Sequence, residues 1–236
     1  MKFQHIIALS AAMLSVPAFA GDELENLRNL SQAEVGRLAK DFTAAASYKG
    51  VAPAEPLGIT GFDVGVEMSA TKMEHADVWE KAGADDTTLY MPKVHIHKGL
   101  PFDIDVGAFL AMAPGSDIKL AGAEIKYAII GGNVALPAVS IRAAATRLFG
   151  VDEVDLNTRS LELTVSKGFL NVTPYAGIGK VWGTLTPNVG GLRKETPDAN
   201  KVFAGVNLNL GLANLAAELD ETGGNRTVSA KLGFRF

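Results

Sequence analysis

The chain contains no cysteine, so no disulfide can staple it in an oxidising compartment and no lipid-bearing Cys can follow a leader. Beyond the N-terminal leader no segment approaches eighteen unbroken apolar residues, which excludes a membrane-spanning helix. Basic charge is not in excess: 22 Lys and Arg stand against 26 Asp and Glu. A nucleic-acid binder would show a basic stripe, and neither that nor a polybasic membrane-surface patch is present. The chain also lacks a Ser-His-acid motif, a glycine-rich phosphate loop and metal-finger spacing. No cofactor is expected on these grounds.

What is present begins with export. Lys2 supplies a positive n-region, Ile6 to Val16 an apolar h-region, and Ala18-Phe19-Ala20 a small-x-small cleavage site before Gly21. The expected organisation is a signal peptide over 1–20, an N-terminal helix and linker over 21–56, and one further domain over 57–236. The 25 Gly and many Ala suit closely packed, twisted strands.

The C-terminal residues identify the architecture. Val228, Ala230, Leu232, Phe234 and Phe236 alternate with Thr227, Ser229, Lys231, Gly233 and Arg235, giving a strand one apolar and one polar face. An alternating strand ending on Phe resembles the closing strand of bacterial outer-membrane β-barrels. That resemblance implies that Phe236 and Phe234 belong to the signal read by the barrel-assembly machinery. From Gly58 the chain divides into ten segments of barrel-strand length: 58–71, 88–98, 102–113, 117–130, 134–148, 158–169, 172–185, 200–211, 214–221 and 226–236. The expected fold is therefore all-β, a transmembrane up-and-down antiparallel barrel of about ten strands, with eight or twelve as alternatives. In a membrane barrel the apolar face turns to lipid and the charges to the lumen; a soluble all-β domain would do the reverse. On Tyr175 to Trp182 the two faces are alike and the lipid side stays open.

If the first strand rises from the periplasm, the connections after even strands (99–101, 131–133, 170–171 and 212–213) are periplasmic and short. Of those after odd strands, 72–87, 149–157 and 186–199 are longer and extracellular, while 114–116 and 222–225 are short, so the match to a bacterial barrel is incomplete. Ahead of the first strand, Ser31 and Glu34 form a capping box and Leu30 with Val35 a hydrophobic staple. Val35, Leu38, Phe42 and Ala45 or Ala46 then recur at helical spacing to about Ser47, where Gly50, Pro53 and Pro56 follow. This helix is expected either to lie against the barrel end or to plug the lumen. Its link to the first strand holds it near the periplasmic mouth in both cases.

The candidate site is a lumen patch. Lys93, His95 and His97 share one face of the second strand. A tight turn after Lys98 would set His97 opposite Asp103 and His95 opposite Asp105. Such a His-His-Asp-Asp set is one a divalent metal accepts, but side chains filling a narrow lumen give the same composition, so no metal is assigned. Further lumen charges are expected at Asp63, Glu67, Glu124, Lys126, Arg142, Glu162, Glu218, Lys231 and Arg235, with mutual pairing as the default. His75 reads as an exposed loop residue.

Ala52 to Glu67, Pro92 to Phe109, Thr173 to Trp182 and Ser229 to Phe236 together resemble a family of short proteobacterial outer-membrane barrel proteins of unknown function. The resemblance implies the fold and an outer-membrane location in a Gram-negative cell, and carries no catalytic or binding residues. The expected role is non-enzymatic, either structural and surface-interacting or a narrow pore for a small polar solute. A barrel enzyme using the His/Asp patch is the alternative. Outer-membrane lipid and the assembly machinery are the expected partners.

Overall fold

A computed structural model describes residues 25–84 and 86–236; the expected signal peptide lies outside them. Ten antiparallel strands close into a barrel in which each strand pairs with its sequence neighbours and β1 pairs with β10. The strands are β1 Phe62–Lys72, β2 Thr88–Leu100, β3 Ile104–Met112, β4 Lys119–Ile130 and β5 Ala138–Phe149, followed by β6 Val154–Ser166, β7 Val172–Pro187, β8 Asp198–Leu210, β9 Ala213–Thr222 and β10 Asn225–Arg235. The even-numbered strands end in one set of connections, which with the C-terminus forms the turn end. The opposite, loop end holds residues 73–84, 86–87 and 188–197. The connections at 150–153 and 131–137 differ from the expected 149–157 and 131–133, because β6 starts at Val154 and β5 only at Ala138.

Closure leaves no free sheet edge, so alternation decides what each strand presents to inside and outside. In the turn-end half the outward residues are apolar: Val64, Val66, Val94, Ile96, Leu161, Leu163, Ile178 and Val202 are all exposed, while charged neighbours point inward. On β7, Tyr175 and Val181 face the lumen and Ile178 and Trp182 the exterior. Apolar exposure continues onto the turn tips, where Phe102 is 85% exposed beside Val134, Phe169, Leu170 and Leu212.

On β2 and on β4 to β7 the inward face turns apolar toward the loop end. Leu89, Met91, Leu120, Leu148, Val154, Leu156 and Leu185 point inward and are buried, and Asp155, Asn157 and Arg159 point out. They surround helix α1, Gln32–Ala46, which the capping box opens: Ser31 Oγ accepts from the Glu34 amide at 3.4 Å, and Glu34 Oε2 accepts from the Ser31 amide at 2.7 Å. Val35, Leu38 and Phe42 are fully buried in this inner core, and Phe42 meets Trp79 edge-on with ring centroids 5.5 Å apart. Trp79 belongs to α2, Ala76–Ala82, a short helix in the β1–β2 loop.

The helix therefore does not sit at the turn-end mouth, as its short link to β1 suggested. Residues 47–61 run extended down the lumen, and at about 3.3 Å per residue so long a segment readily spans a barrel. The helix lies at the loop end and β1 begins at the other.

Two outcomes follow. Phe42→Ala should lower stability by about 3–4 kcal/mol through an unfilled cavity, read as a lower midpoint of the heat-modifiable gel shift. Hydrogen bonds from Lys81 and Ser31 hold the Glu34 carboxyl down at about 2, below its ordinary 4.5. A depressed carboxylate contributes fully above its unfolded value and loses that contribution as pH falls through the folded one. Hydrogen-exchange protection in the first turn of α1, taken against the intrinsic exchange rate at each pH, should thus fall as pH drops from about 4.5 toward 2, and the Glu34→Gln variant should show no such step.

Candidate functional site: the filled lumen

The lumen wall of the turn-end half is built from inward residues of nearly every strand. Asp63 and Glu67 come from β1, Lys93, His95 and His97 from β2, Asp105 from β3, Glu124 and Lys126 from β4. Arg142 follows from β5, Glu162 from β6, Lys201 from β8, Glu218 and Asp220 from β9, and Lys231 from β10. All are buried, and Arg235 stands half-buried at the turn-end mouth.

These groups form linked ion pairs. Asp63 accepts from Lys231 at 2.8 Å and faces His95 Nε2 at 3.1 Å, while His95 Nδ1 faces Glu67 at 3.0 Å. Glu67 in turn takes Lys93 at 2.7 Å. A second chain joins Glu124 to Arg142 at 2.8 Å, Arg142 to Glu162 at 2.9 Å and Glu162 to Lys201 at 2.8 Å. Lys126 pairs separately with Asp105 at 2.9 Å. Pairing of this kind is what a low-dielectric interior demands, since one buried charge without a partner costs several kcal/mol.

The wall is completed by the segment that fills it. Lys201 Nζ donates to the Tyr48 carbonyl at 2.9 Å, Lys93 Nζ to the Lys49 carbonyl, and Lys126 Nζ to the carbonyls of Pro53 and Glu55. Ser166 Oγ accepts from the Ala54 amide at 2.9 Å, and Asp105 accepts from the Leu57 amide at 3.1 Å. Lys49 crosses to Asp220 at 3.1 Å, and the Tyr48 hydroxyl meets His97 Nε2 at 3.0 Å. Gly50 allows the Arg142 guanidinium to lie against the backbone, where a Cβ would collide with it. Residues from Ala44 to Ala54 are buried throughout.

At the loop end, Asp41 of α1 is fully buried and accepts from the His75 amide at 2.9 Å and the Trp79 indole at 3.1 Å, with His75 Nδ1 at 2.8 Å. His75 is thus a tether between helix and loop rather than a free loop residue.

Lys93, His95, His97 and Asp105 all lie in the lumen, but the expected cross-strand arrangement does not form. The β2–β3 turn places Gly99 opposite Asp105 and His97 opposite Gly107, so His95 faces Phe109. Phe102 and Asp103 occupy the left-handed region at φ 67° and 57°, which lengthens the turn and leaves Asp103 in the exposed tip. The acids beside the histidines are Asp63, Glu67 and Glu124, with His97 Nε2 3.6 Å from Glu124. Asp63, His95 and His97 offer ligand atoms all within 4.8 Å of one another, but each is already engaged within the lumen network described above. Phe234 and Phe236 are exposed at the turn end.

Among the residues of this polar network, Lys49, Tyr48, Lys201 and Asp220 were not singled out by the sequence pattern. Lys201 and Asp220 carried a signal, since each sits two residues from an inward position of its strand. Lys49 and Tyr48 lie in irregular chain and carried none.

No family model matches the chain, and no curated protein matches it in sequence. Among solved structures it is similar to the outer-membrane protease OmpT of Escherichia coli, at 9% identity over 75% of this chain and 96% of that one, with a TM-score of 0.42. The N-terminal β-barrel domain of Pseudomonas aeruginosa OprF is 16% identical over 76% and 99%, with a TM-score of 0.36. The translocator domain of the autotransporter NalP from Neisseria meningitidis is 11% identical over 92% and 100%, with a TM-score of 0.37. The ten-strand closure rests on the strand pairing above and not on these likenesses.

Replacing one member of the linked pairs should be costly and replacing an unpaired acid should not. Arg142→Met leaves Glu124 with only His97 at 3.6 Å and Glu162 with Lys201 alone, and should lower stability by about 3–5 kcal/mol. Among the described residues no base lies within salt-bridge distance of Glu218, so Glu218→Gln should leave stability unchanged or raise it. Urea unfolding of the two variants in the same micelles compares them directly.

Proposed function

We propose that this protein is an outer-membrane barrel of a Gram-negative cell with a sealed lumen, and that its role is structural and surface-presenting, without enzymatic activity. The observation that carries this reading is the seating of residues 44–54. Three wall lysines grip backbone carbonyls of that segment, and Lys49 completes the charge balance by taking Asp220. A solute pore would need this segment to leave, exposing buried charges that its backbone and Lys49 now satisfy. The two small cavities beside it, of about 10 Å³ each, are below the size of any organic solute. A barrel enzyme acting through the His/Asp patch would need an open approach to its imidazoles. Instead His95 stands between Asp63 and Glu67, and His97 is capped by Tyr48.

The membrane placement is supported by the apolar exterior of the turn-end half and the charged interior behind it, the reverse of a soluble barrel. The short turns and the C-terminal Phe236 go to the periplasm in this reading, where Phe234 and Phe236 would be offered to the assembly machinery. The loop end, with α1, α2 and residues 188–197, goes to the cell surface.

The test is planar-bilayer conductance of the refolded mature protein beside a variant lacking Gly21 to Lys49. The full chain should give no steady conductance while showing a heat-modifiable folded band. The deletion variant should either conduct or lose that band. Steady conductance from the full chain would overturn the sealed-lumen reading.

A further inference from the structure

The exterior of the barrel changes chemistry part-way up, and in one sector the change concentrates positive charge. Across β5, β6 and β7, Ile141, Leu163 and Ile178 make one outward row, and Ala143, Leu161 and Lys180 the next toward the loops. The following row is Ala145, Arg159 and Trp182, and then come Arg147, Asn157 and Thr184. Lys194, in the β7–β8 loop, joins this surface because Glu195 pairs back onto Leu185 and turns inward to Gln32. Beside these cations Ala121, Gly122, Ala123 and Ala145 leave a cleft of about 770 Å³.

Arg147, Arg159 and Lys194 are exposed, and among the described residues none is within salt-bridge distance of a carboxylate. Of the nearby outward acids, Asp198 holds Lys180 at 2.6 Å, while Asp155, bonded only to the neutral Asn188 amide at 3.3 Å, keeps its charge one row further toward the loops, so three cations stand against one acid. Elsewhere on the loop-end exterior Arg226 is matched by Glu221. The sector on β4–β7 is therefore a built imbalance of charge beside small residues.

Its height suits one occupant. From Arg159 to the end of β6 at Ser166 the strand rises about 18 Å at ordinary pitch and tilt, and the apolar tips Phe169 and Leu170 extend below it. Together they make the apolar band of roughly 25 Å that a membrane barrel presents to hydrocarbon. Arg159, Arg147 and Trp182 then stand at headgroup level, where an indole is favoured.

We propose that this sector binds the phosphates of a diphosphorylated glycolipid of the outer leaflet. Arg147, Arg159 and Lys194 would receive its charge, and its acyl chains would lie along Ala123, Ala145, Ile125 and Ala143. Cations on two strands and a loop match two phosphates better than one, and a shelf of small residues admits chains close to the sheet. This rests on the proposal that the loop end faces outward.

The experiment is a titration of the folded mature protein in micelles with diphosphoryl lipid A, followed by native mass spectrometry. Saturable one-to-one binding is expected, weakened roughly tenfold by the R147Q/R159Q double variant through loss of charge-assisted contacts. R226Q should bind as the parent does, and neither excess inorganic phosphate nor phosphatidylglycerol should displace the glycolipid. Unchanged binding by the double variant, an equal loss in R226Q, or displacement by either competitor overturns the proposal. The orientation is tested separately by labelling G190C on intact cells with an impermeant maleimide. Labelling supports the outward loop end. Failure to label a folded, membrane-inserted barrel overturns the orientation and the outer-leaflet site with it.

Discussion

A charge taken out of water must be met by an opposite charge or by hydrogen bonds, and the whole interior of this barrel is arranged around that requirement. Ten strands enclose more space than their own inward side chains fill, and those side chains are largely ionic. The chain meets both demands with one segment. Residues 44–54 occupy the space, while their carbonyls and Lys49 supply acceptors and charge that the wall leaves unmatched. Filling and neutralisation are thus a single structural act, and neither the wall nor the segment is complete without the other.

The same economy divides the barrel along its axis. Below, the strands are amphipathic in the membrane sense, apolar outside and ionic within. Above, on β2 and on β4 to β7, the inward face turns apolar, and its Leu and Val residues close on α1 as a soluble domain closes on its core. The helix is held there by apolar packing, by Asp41 bridging to His75 and Trp79, and by Gln32 reaching the Arg193 carbonyl at 3.0 Å. Loop-end loops thereby become part of a packed unit.

Much of this was legible in residue order. Period-two alternation gave the ten strands, the inward face of β2, and the lumen position of Asp63, Glu67, Glu124, Arg142 and Lys231, because a pleated strand cannot place neighbours on one face. The capping box marked the start of α1 for an equally local reason. Three things were hidden. The β2–β3 register depended on Phe102 and Asp103 both adopting left-handed conformations, which Asp tolerates but Phe does not advertise. The reversal within β6 is written as a shift from Val154 and Leu156 to Leu161 and Leu163, a signal diluted by the polar residues between them. The path of residues 47–61 is fixed through carbonyls, and a carbonyl leaves no trace in the side-chain sequence.

That path has a topological consequence. Residue 25 lies at one rim of a closed ring and Phe236 at the other, with the chain passing through the middle. A helix about 10 Å across cannot slip easily through a lumen already crowded with side chains. A ring closed around its own N-terminal segment therefore needs that segment laid in the open trough of the sheet before the last seam zips. Threading then becomes an order of events: the ring forms around its own axis, and the N-terminal segment acts as the mandrel on which the final circumference is set.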